Sequence, residues 1–249
     1  MDSLPPPPNG MTWGLAFADE FNGERIDPQA WFVHPDKTRG DGWFLRDNVV
    51  LDGKGNLVFR TTRKDGRLAG AGVDGRGRAR WKFGYFEIRA KLPGIPAGNR
   101  PAFWLTGPEV NRVGDEGRDG TEIDIFEAPS RTGRIEINLH WDGYGPEEKT
   151  ANFKPQKRID YFNFHTYAVW WSPTFYRFYI DGDMVWETAA GGVCQVPLSI
   201  VISDEPIDRA NWRGASPLLA GLDAFVVDYV RVYQLAPVPV PAPSAGPRP

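Results

Sequence analysis

Six residues, Glu122-Ile123-Asp124-Ile125-Phe126-Glu127, place three carboxylates in one short apolar segment. Isoleucine and phenylalanine favour a strand. Strand side chains alternate faces, so Glu122 and Asp124 point the same way. Strict alternation sends Glu127 to the opposite face, and one extra residue bulged out of the strand returns it. All three acids then share a surface. Two carboxyls roughly 5–5.5 Å apart are what retaining hydrolysis of a glycosidic bond requires, one as nucleophile and one as proton donor. Two other readings fit the same spacing. Acids alternating with apolar residues mark the solvated face of a half-buried strand, and a calcium ion collects carboxylates. Three acids with no basic residue among them fit the solvated face poorly, because crowded like charges repel and raise one another's pKa.

The next segment is the natural neighbour of that strand. Ala128-Pro129-Ser130-Arg131-Thr132-Gly133 is rich in turn residues, and the run after it alternates Arg134, Glu136, Asn138 and His140 against Ile135, Ile137, Leu139 and Trp141. Folded back as a hairpin, it lays a polar row beside the three acids, with His140 near the start of the acidic strand. Other segments read as strands too. Leu57–Thr62 follows the turn signal Asp52-Gly53-Lys54-Gly55-Asn56. Gly84–Leu92 alternates Phe86, Ile88, Ala90 and Leu92 against Tyr85, Glu87, Arg89 and Lys91. Tyr176–Ile180 enters an Asp181-Gly182 hairpin turn, and Phe225–Leu235 is a long last strand. No stretch holds a helical period for three turns. The chain of 249 residues is 41% hydrophobic, and its 28 Gly and 23 Pro punctuate it with turns. Together these predict an all-β sandwich or jelly roll. The organisation expected is a disordered Pro-rich start (1–10), one domain (11–235) and a Pro-rich tail or linker (236–249).

Net charge is -3, which argues against nucleic acid or an anionic membrane as partner. No run of about 18 apolar residues could span a bilayer. Cys194 is the only cysteine, which leaves no intramolecular disulfide, and His34, His140 and His165 show no metal-ligand spacing. The first residues lack the regions of a signal peptide. The chain is therefore cytoplasmic, or its natural leader was removed; secreted or periplasmic is the expectation for an enzyme of polysaccharides. Ten Trp suit stacking on apolar sugar faces as well as a core. A monomer is expected.

The Glu122–Glu127 segment resembles the signature of glycoside hydrolase family 16, in the bulged form of laminarinases and agarases. Four other blocks agree in order and spacing: Phe17-Ala-Asp-Glu-Phe-Asn-Gly23 with Trp31; Gly84–Pro93 with Pro101-Ala-Phe-Trp-Leu105; Phe164–Tyr167 through Trp171–Pro173 and Phe178–Gly182; and Val227–Gln234. The resemblance covers about residues 15–235. It implies a concanavalin-like β-jelly-roll sandwich with a concave cleft for a polysaccharide. It makes Glu122 the nucleophile, Glu127 the acid/base and Asp124 the residue between them that helps set their protonation. It also offers Trp104, His140, Asn48, Trp43 and Trp212 as sugar contacts. A structural calcium ion is implied between Glu20 and Asp228, with a carbonyl from the Gly55 region. The activity implied is retaining endo-hydrolysis of a β-1,3- or mixed β-1,3/1,4-glucan, with no catalytic cofactor. The alternatives are a galactanase of the agar or carrageenan kind, a transglycosylase, or a non-catalytic lectin. Intact Glu122 and Glu127 favour an enzyme over a lectin. Two departures bear on the substrate. Gly75–Lys82 is unusually rich in Arg, and the insert Gly107–Gly120 lacks the Trp that laminarinases often carry there. Arginine binds sulfate or carboxylate bidentately, which leaves an anionic galactan open, although a solvated arginine-rich surface is the more ordinary reading of the same residues.

Overall fold

Alternating apolar residues bury one face of each strand, and the only way to bury many such faces is to stack two sheets. A computed structural model describes residues 4–93, 98–128, 133–206 and 224–239. It holds two sheets of this kind. The back sheet runs in the order β16 (Asp183–Thr188), β15 (Tyr176–Ile180), β14 (His165–Trp171), β9 (Gly84–Lys91), β18 (Ala224–Pro237), β6 (Leu57–Arg60), β5 (Val49–Leu51), with β1 (Met11–Asp19) also paired to β18. The cleft sheet runs β13 (Lys149–Phe153), β12 (Glu136–Trp141), β11 (Thr121–Glu127), β10 (Asn99–Thr106), β17 (Ser199–Pro206), β8 (Arg67–Asp74), β4 (Gly42–Phe44), β3 (Lys37–Arg39). Two short strands, β2 (Phe32–Val33) and β7 (Thr62–Lys64), lie along β8. The only helical turns among the described residues are 3-10, at Arg46–Asn48 and Pro108–Asn111. The expected jelly-roll sandwich is the observed fold.

The core lies between the sheets. Phe103, Leu105, Ile123 and Phe126 face it from the cleft sheet; Phe86, Ile88, Val169, Phe178 and Val230 face it from the back. Phe126 is fully buried, its ring 4.3 Å from that of Tyr167 and 6.0 Å from that of Phe225. The acidic strand is thus anchored from below by a cluster that reaches the opposite sheet.

Two expectations are corrected. Leu57–Thr62 is not one strand: β6 belongs to the back sheet and β7 to the cleft sheet, and the chain changes sheets at Thr61. The Thr61 hydroxyl is held there by Asn99 and Asp204, at 2.7 and 3.2 Å. Nor is the whole of 1–10 disordered. Leu4 packs with Trp13 against Tyr85 and Trp170, and the Pro5 carbonyl accepts a hydrogen bond of 2.8 Å from the Trp13 indole N–H. A proline run loses little conformational freedom when it docks, because its φ angles are already fixed. At the other end β18 passes Leu235 to Pro237, which pairs with Met11; residues 240–249 lie outside the described residues.

Phe126→Ala should cost about 3–5 kcal/mol by urea denaturation, as expected for a large buried aromatic removed from a packed core. It should also lower activity in the folded fraction, because the strand above loses its anchor.

Candidate active site

The acidic strand carries the bulge that its sequence requires. Against β12, Glu122 pairs with His140, Asp124 with Asn138 and Glu127 with Glu136, with the register slipping between Asp124 and Glu127. Against β10, Asp124 pairs with Trp104 and Glu127 with Ala102, and the register slips there too. Ile125 and Phe126 both turn into the core, so Glu127 returns to the face of Glu122 and Asp124. All three acids line one open cleft of about 970 Å³. His140 and Asn138 stand beside them, as the hairpin predicted.

Burial and mutual repulsion govern the charges. Burial, then the charge of Asp124, pushes Glu122 up to about 8. Burial, then Glu127, pushes Asp124 up to about 7. Glu122, Asp124 and His140 bring ligand atoms within 4.8 Å of one another, and ionisable groups that close titrate together rather than singly. Glu127 is also raised, by burial first, with Arg100 opposing. His140 answers with positive charge. The bond to Asp124 lifts it to about 9 against its own burial. Its Nε2 lies 3.4 Å from Asp124 Oδ2 and its Nδ1 3.0 Å from Glu148 Oε1.

Two contacts, from Tyr144 and Arg100, were not legible in the sequence; a third comes from Asn138 in the predicted polar row. The Tyr144 hydroxyl donates to Glu122 Oε2. Asp142 and Gly143 are both left-handed (φ 62° and 81°) and turn the chain after β12, so that Tyr144 reaches back over the strand. Burial and then Glu122 keep that phenol protonated, so it remains a donor and favours the charge on Glu122. Asn138 donates to Glu127 Oε2 at 2.7 Å. Arg100 meets Glu127 Oε1 at 3.1 Å and Glu205 at 3.4 Å. Arg100 and Glu205 are cross-strand partners on β10 and β17, so only the sheet order brings Glu205 near the acids.

The remaining candidates divide. Trp104 lines the cleft, its indole N–H bonded to Ser203 Oγ at 3.1 Å. Asn48 does not reach it: the side chain is buried and donates to Thr62 Oγ1 at 2.9 Å and the Ala69 carbonyl at 3.0 Å. Its role is to join β7 and β8. Trp43 does not line the cleft either; it sits under Lys64, 4.5 Å from ring centre to Nζ. By strand alternation the next residue, Phe44, takes the cleft face. Trp212 lies outside the described residues.

The calcium expectation meets a different chemistry. The three segments do converge, since Asp19 pairs with Val230 and a Cβ on Gly55 would lie 3.8 Å from the Glu20 carbonyl. The carboxylates are taken by arginines instead. Glu20 holds Arg231 bidentately at 2.8 and 3.0 Å, and Asp228 pairs with Arg89. A calcium ion would have to displace two guanidinium groups, so the residues present do not fit it.

Two outcomes follow from these charges. Glu122, Asp124 and Glu127 bind protons more tightly folded than unfolded, as does His140, so stability must fall as pH rises from the ordinary carboxylate range toward about 8 to 9. The melting temperature should drop by several degrees between pH 5.5 and 8.5 in a thermal scan, at roughly the size expected for a kcal/mol-scale change. Glu122→Gln or Asp124→Asn should flatten that drop. A chelator should leave the melting temperature unchanged.

The sequence model of the "Beta-porphyranase A-D, GH16 domain" matches residues 15–235. A β-glucanase of Rhodothermus marinus is 27% identical over 260 residues, covering 89% of this chain and 85% of that protein. β-Porphyranase B of Zobellia galactanivorans is 28% identical over 202 residues, covering 67% of this chain and 64% of the relative. The crystal structure of porphyranase B from the same organism superposes with a TM-score of 0.74 at 23% identity, covering 93% of this chain and 96% of that one, a likeness of fold. With the family match spanning nearly the whole sandwich and the three acids of the signature on one cleft floor, the chain belongs to glycoside hydrolase family 16 and is an endo-acting β-glycanase of that family.

Proposed function

We propose that the protein is a retaining endo-hydrolase of a β-linked galactan that carries anionic groups. The observation behind this reading is the flank of the cleft beyond Trp104. Lys37, Arg39, Arg76 and Arg80 line it together with Phe44. Lys37 Nζ contacts His34 Nδ1 at 3.1 Å rather than a carboxylate. Burial, then the charges of Arg39 and Arg76, depress its pKa, as happens where cations are crowded together. Lys37 and Arg39 also stand 5.6 and 5.8 Å from the centre of the Phe44 ring. An aromatic face rimmed by cations suits a sugar ring bearing sulfate or carboxylate. The Arg-rich segment after β8 thus contributes Arg76 and Arg80 to the cleft. A β-1,3- or mixed-linkage glucan is the second reading, favoured by the match to the Rhodothermus β-glucanase.

The mechanism in this reading is double displacement. Glu122 attacks the anomeric carbon as Glu127 protonates the departing oxygen; Glu127, now a carboxylate, then takes a proton from the water that releases the sugar. The Tyr144 hydroxyl, which donates to Glu122, stabilises its charge before attack. His140 stands on the far side of the acidic strand from Trp104, where a leaving sugar would lie. A polymeric substrate supports a secreted or periplasmic site of action in this reading.

Reducing-sugar release from sulfated and neutral galactans, laminarin and mixed-linkage glucan tests the substrate. The sulfated galactan should be cut at least tenfold faster than the others; preference for a neutral glucan would reject this reading in favour of the second. Proton NMR of the first products should show the β-anomer. Glu122→Gln and Glu127→Gln should each lose more than about 99% of turnover of the polysaccharide, of the order expected for loss of nucleophilic or general acid catalysis, with folding intact.

A further inference from the structure

Arg100 is placed between two carboxylates that compete for it. One arm reaches the acid/base Glu127 at 3.1 Å, and the other reaches Glu205 at 3.4 Å. Glu205 is in turn gripped from the opposite side by Arg39, at 2.5 Å. The Arg100 Nε hydrogen is buried and unpartnered among the described residues, so neither carboxylate holds the guanidinium by the side-on pair that would fix it. We propose that Arg100 and Glu205 form a positioning pair for the acid/base, in which Arg100 leans toward Glu205 while Glu127 carries its proton and toward Glu127 once that proton has gone. The proposal rests on the acid/base role given to Glu127 above.

The proton balance is simple. As the bond between the anomeric carbon and the glycosidic oxygen breaks, the Glu127 proton passes to that oxygen, and the new carboxylate is neutralised by Arg100. When water attacks the glycosyl-enzyme, its proton passes to Glu127, and Arg100 returns its charge to Glu205. A fixed arginine would hold Glu127 ionised and weaken it as an acid. A cleft without one would leave the product carboxylate facing Glu122 and Asp124 uncompensated. Sharing Arg100 with Glu205 meets both demands.

The other groups about Glu127 do not substitute for this pair. Glu122 and Asp124 on β11 are like charges. Asn138 on β12 is neutral and donates to the second oxygen at 2.7 Å. Glu136, its cross-strand neighbour, is tied to Lys154 at 2.5 Å, and the cationic His140 is engaged by Asp124 and Glu148.

The test is the alkaline limb of kcat/KM against pH, which reports the acid in the free enzyme. It is measured on the polysaccharide that the protein degrades best. Arg100→Gln should move that limb to higher pH and Glu205→Gln to lower pH, each by about one unit or more, the usual effect of a charge at this range. Arg100→Lys keeps the cation but not the two-armed reach, so its limb should move up by less; it carries the test if Arg100→Gln does not fold. With a 2,4-dinitrophenyl glycoside of the product oligosaccharide, whose departure needs no proton, both displacements should vanish. Shifts in the same direction, no shift, or shifts that persist with the activated substrate would overturn the proposal. Glu127→Gln is run alongside. If it still degrades the polysaccharide, the acid/base assignment itself fails; if it does not while the Arg100 and Glu205 limbs stay in place, only the pair is rejected.

Discussion

Three carboxylates set into the floor of one cleft cannot all be ionised, and the surroundings are organised about that repulsion. Burial pushes each of them toward its protonated form. Their neighbours then supply countercharge unevenly. Tyr144 gives Glu122 a neutral donor, His140 gives Asp124 a cation, and Arg100 gives Glu127 a cation shared with Glu205. All three acids are raised, and what distinguishes them is the kind of partner each one has. The same crowding makes the site a source of instability at neutral pH, which the apolar cluster beneath it must offset.

That cluster is also what fixes the geometry. Ile125 and Phe126 are consecutive and both turn into the same core, which the alternation of a regular strand forbids. The bulge is the only backbone solution that buries both and keeps Glu127 in the cleft. Because Phe126 packs on Tyr167 and Phe225 of the back sheet, slipping the register would expose a ring as well as misplace an acid. The hydrophobic core and the spacing of the acids are enforced by the same two residues.

The sequence revealed what lies within one hairpin and hid what depends on distant pairing. Glu122 to His140 is a single antiparallel unit, so alternation and one bulge were enough to place its polar row. Arg100, Glu205 and the Lys37–Arg39 strand come together only through the strand order of the cleft sheet, which no local pattern encodes. Trp43 and Phe44 are adjacent aromatics, and with no alternating polar partner nothing local says which of them faces the sugar. Asn48 is offered as a sugar contact by the resemblance, and its acceptors, fourteen and twenty-one positions away, leave no local sign that it is buried. Glu20 and Asp228 read as metal ligands through the resemblance alone, which does not show that Arg89 and Arg231 stand on the neighbouring strands. The four prolines looked unstructured because an aromatic patch that receives them is assembled from strands far apart in the chain.

The cationic flank comes from residues 34–80, while the hairpin that does the chemistry comes from residues 121–141. In the proposed reading, recognition and bond cleavage occupy separate stretches of the sequence, joined only where the strands lie side by side. Recombination or loop exchange within the first stretch could redirect the enzyme to a new polymer and leave the reaction untouched. The one place where this separation fails is β17, because Glu205 answers to Arg39 on one side and to Arg100 on the other. An evolutionary swap of the flank that ignored that residue would alter the acid as well as the substrate.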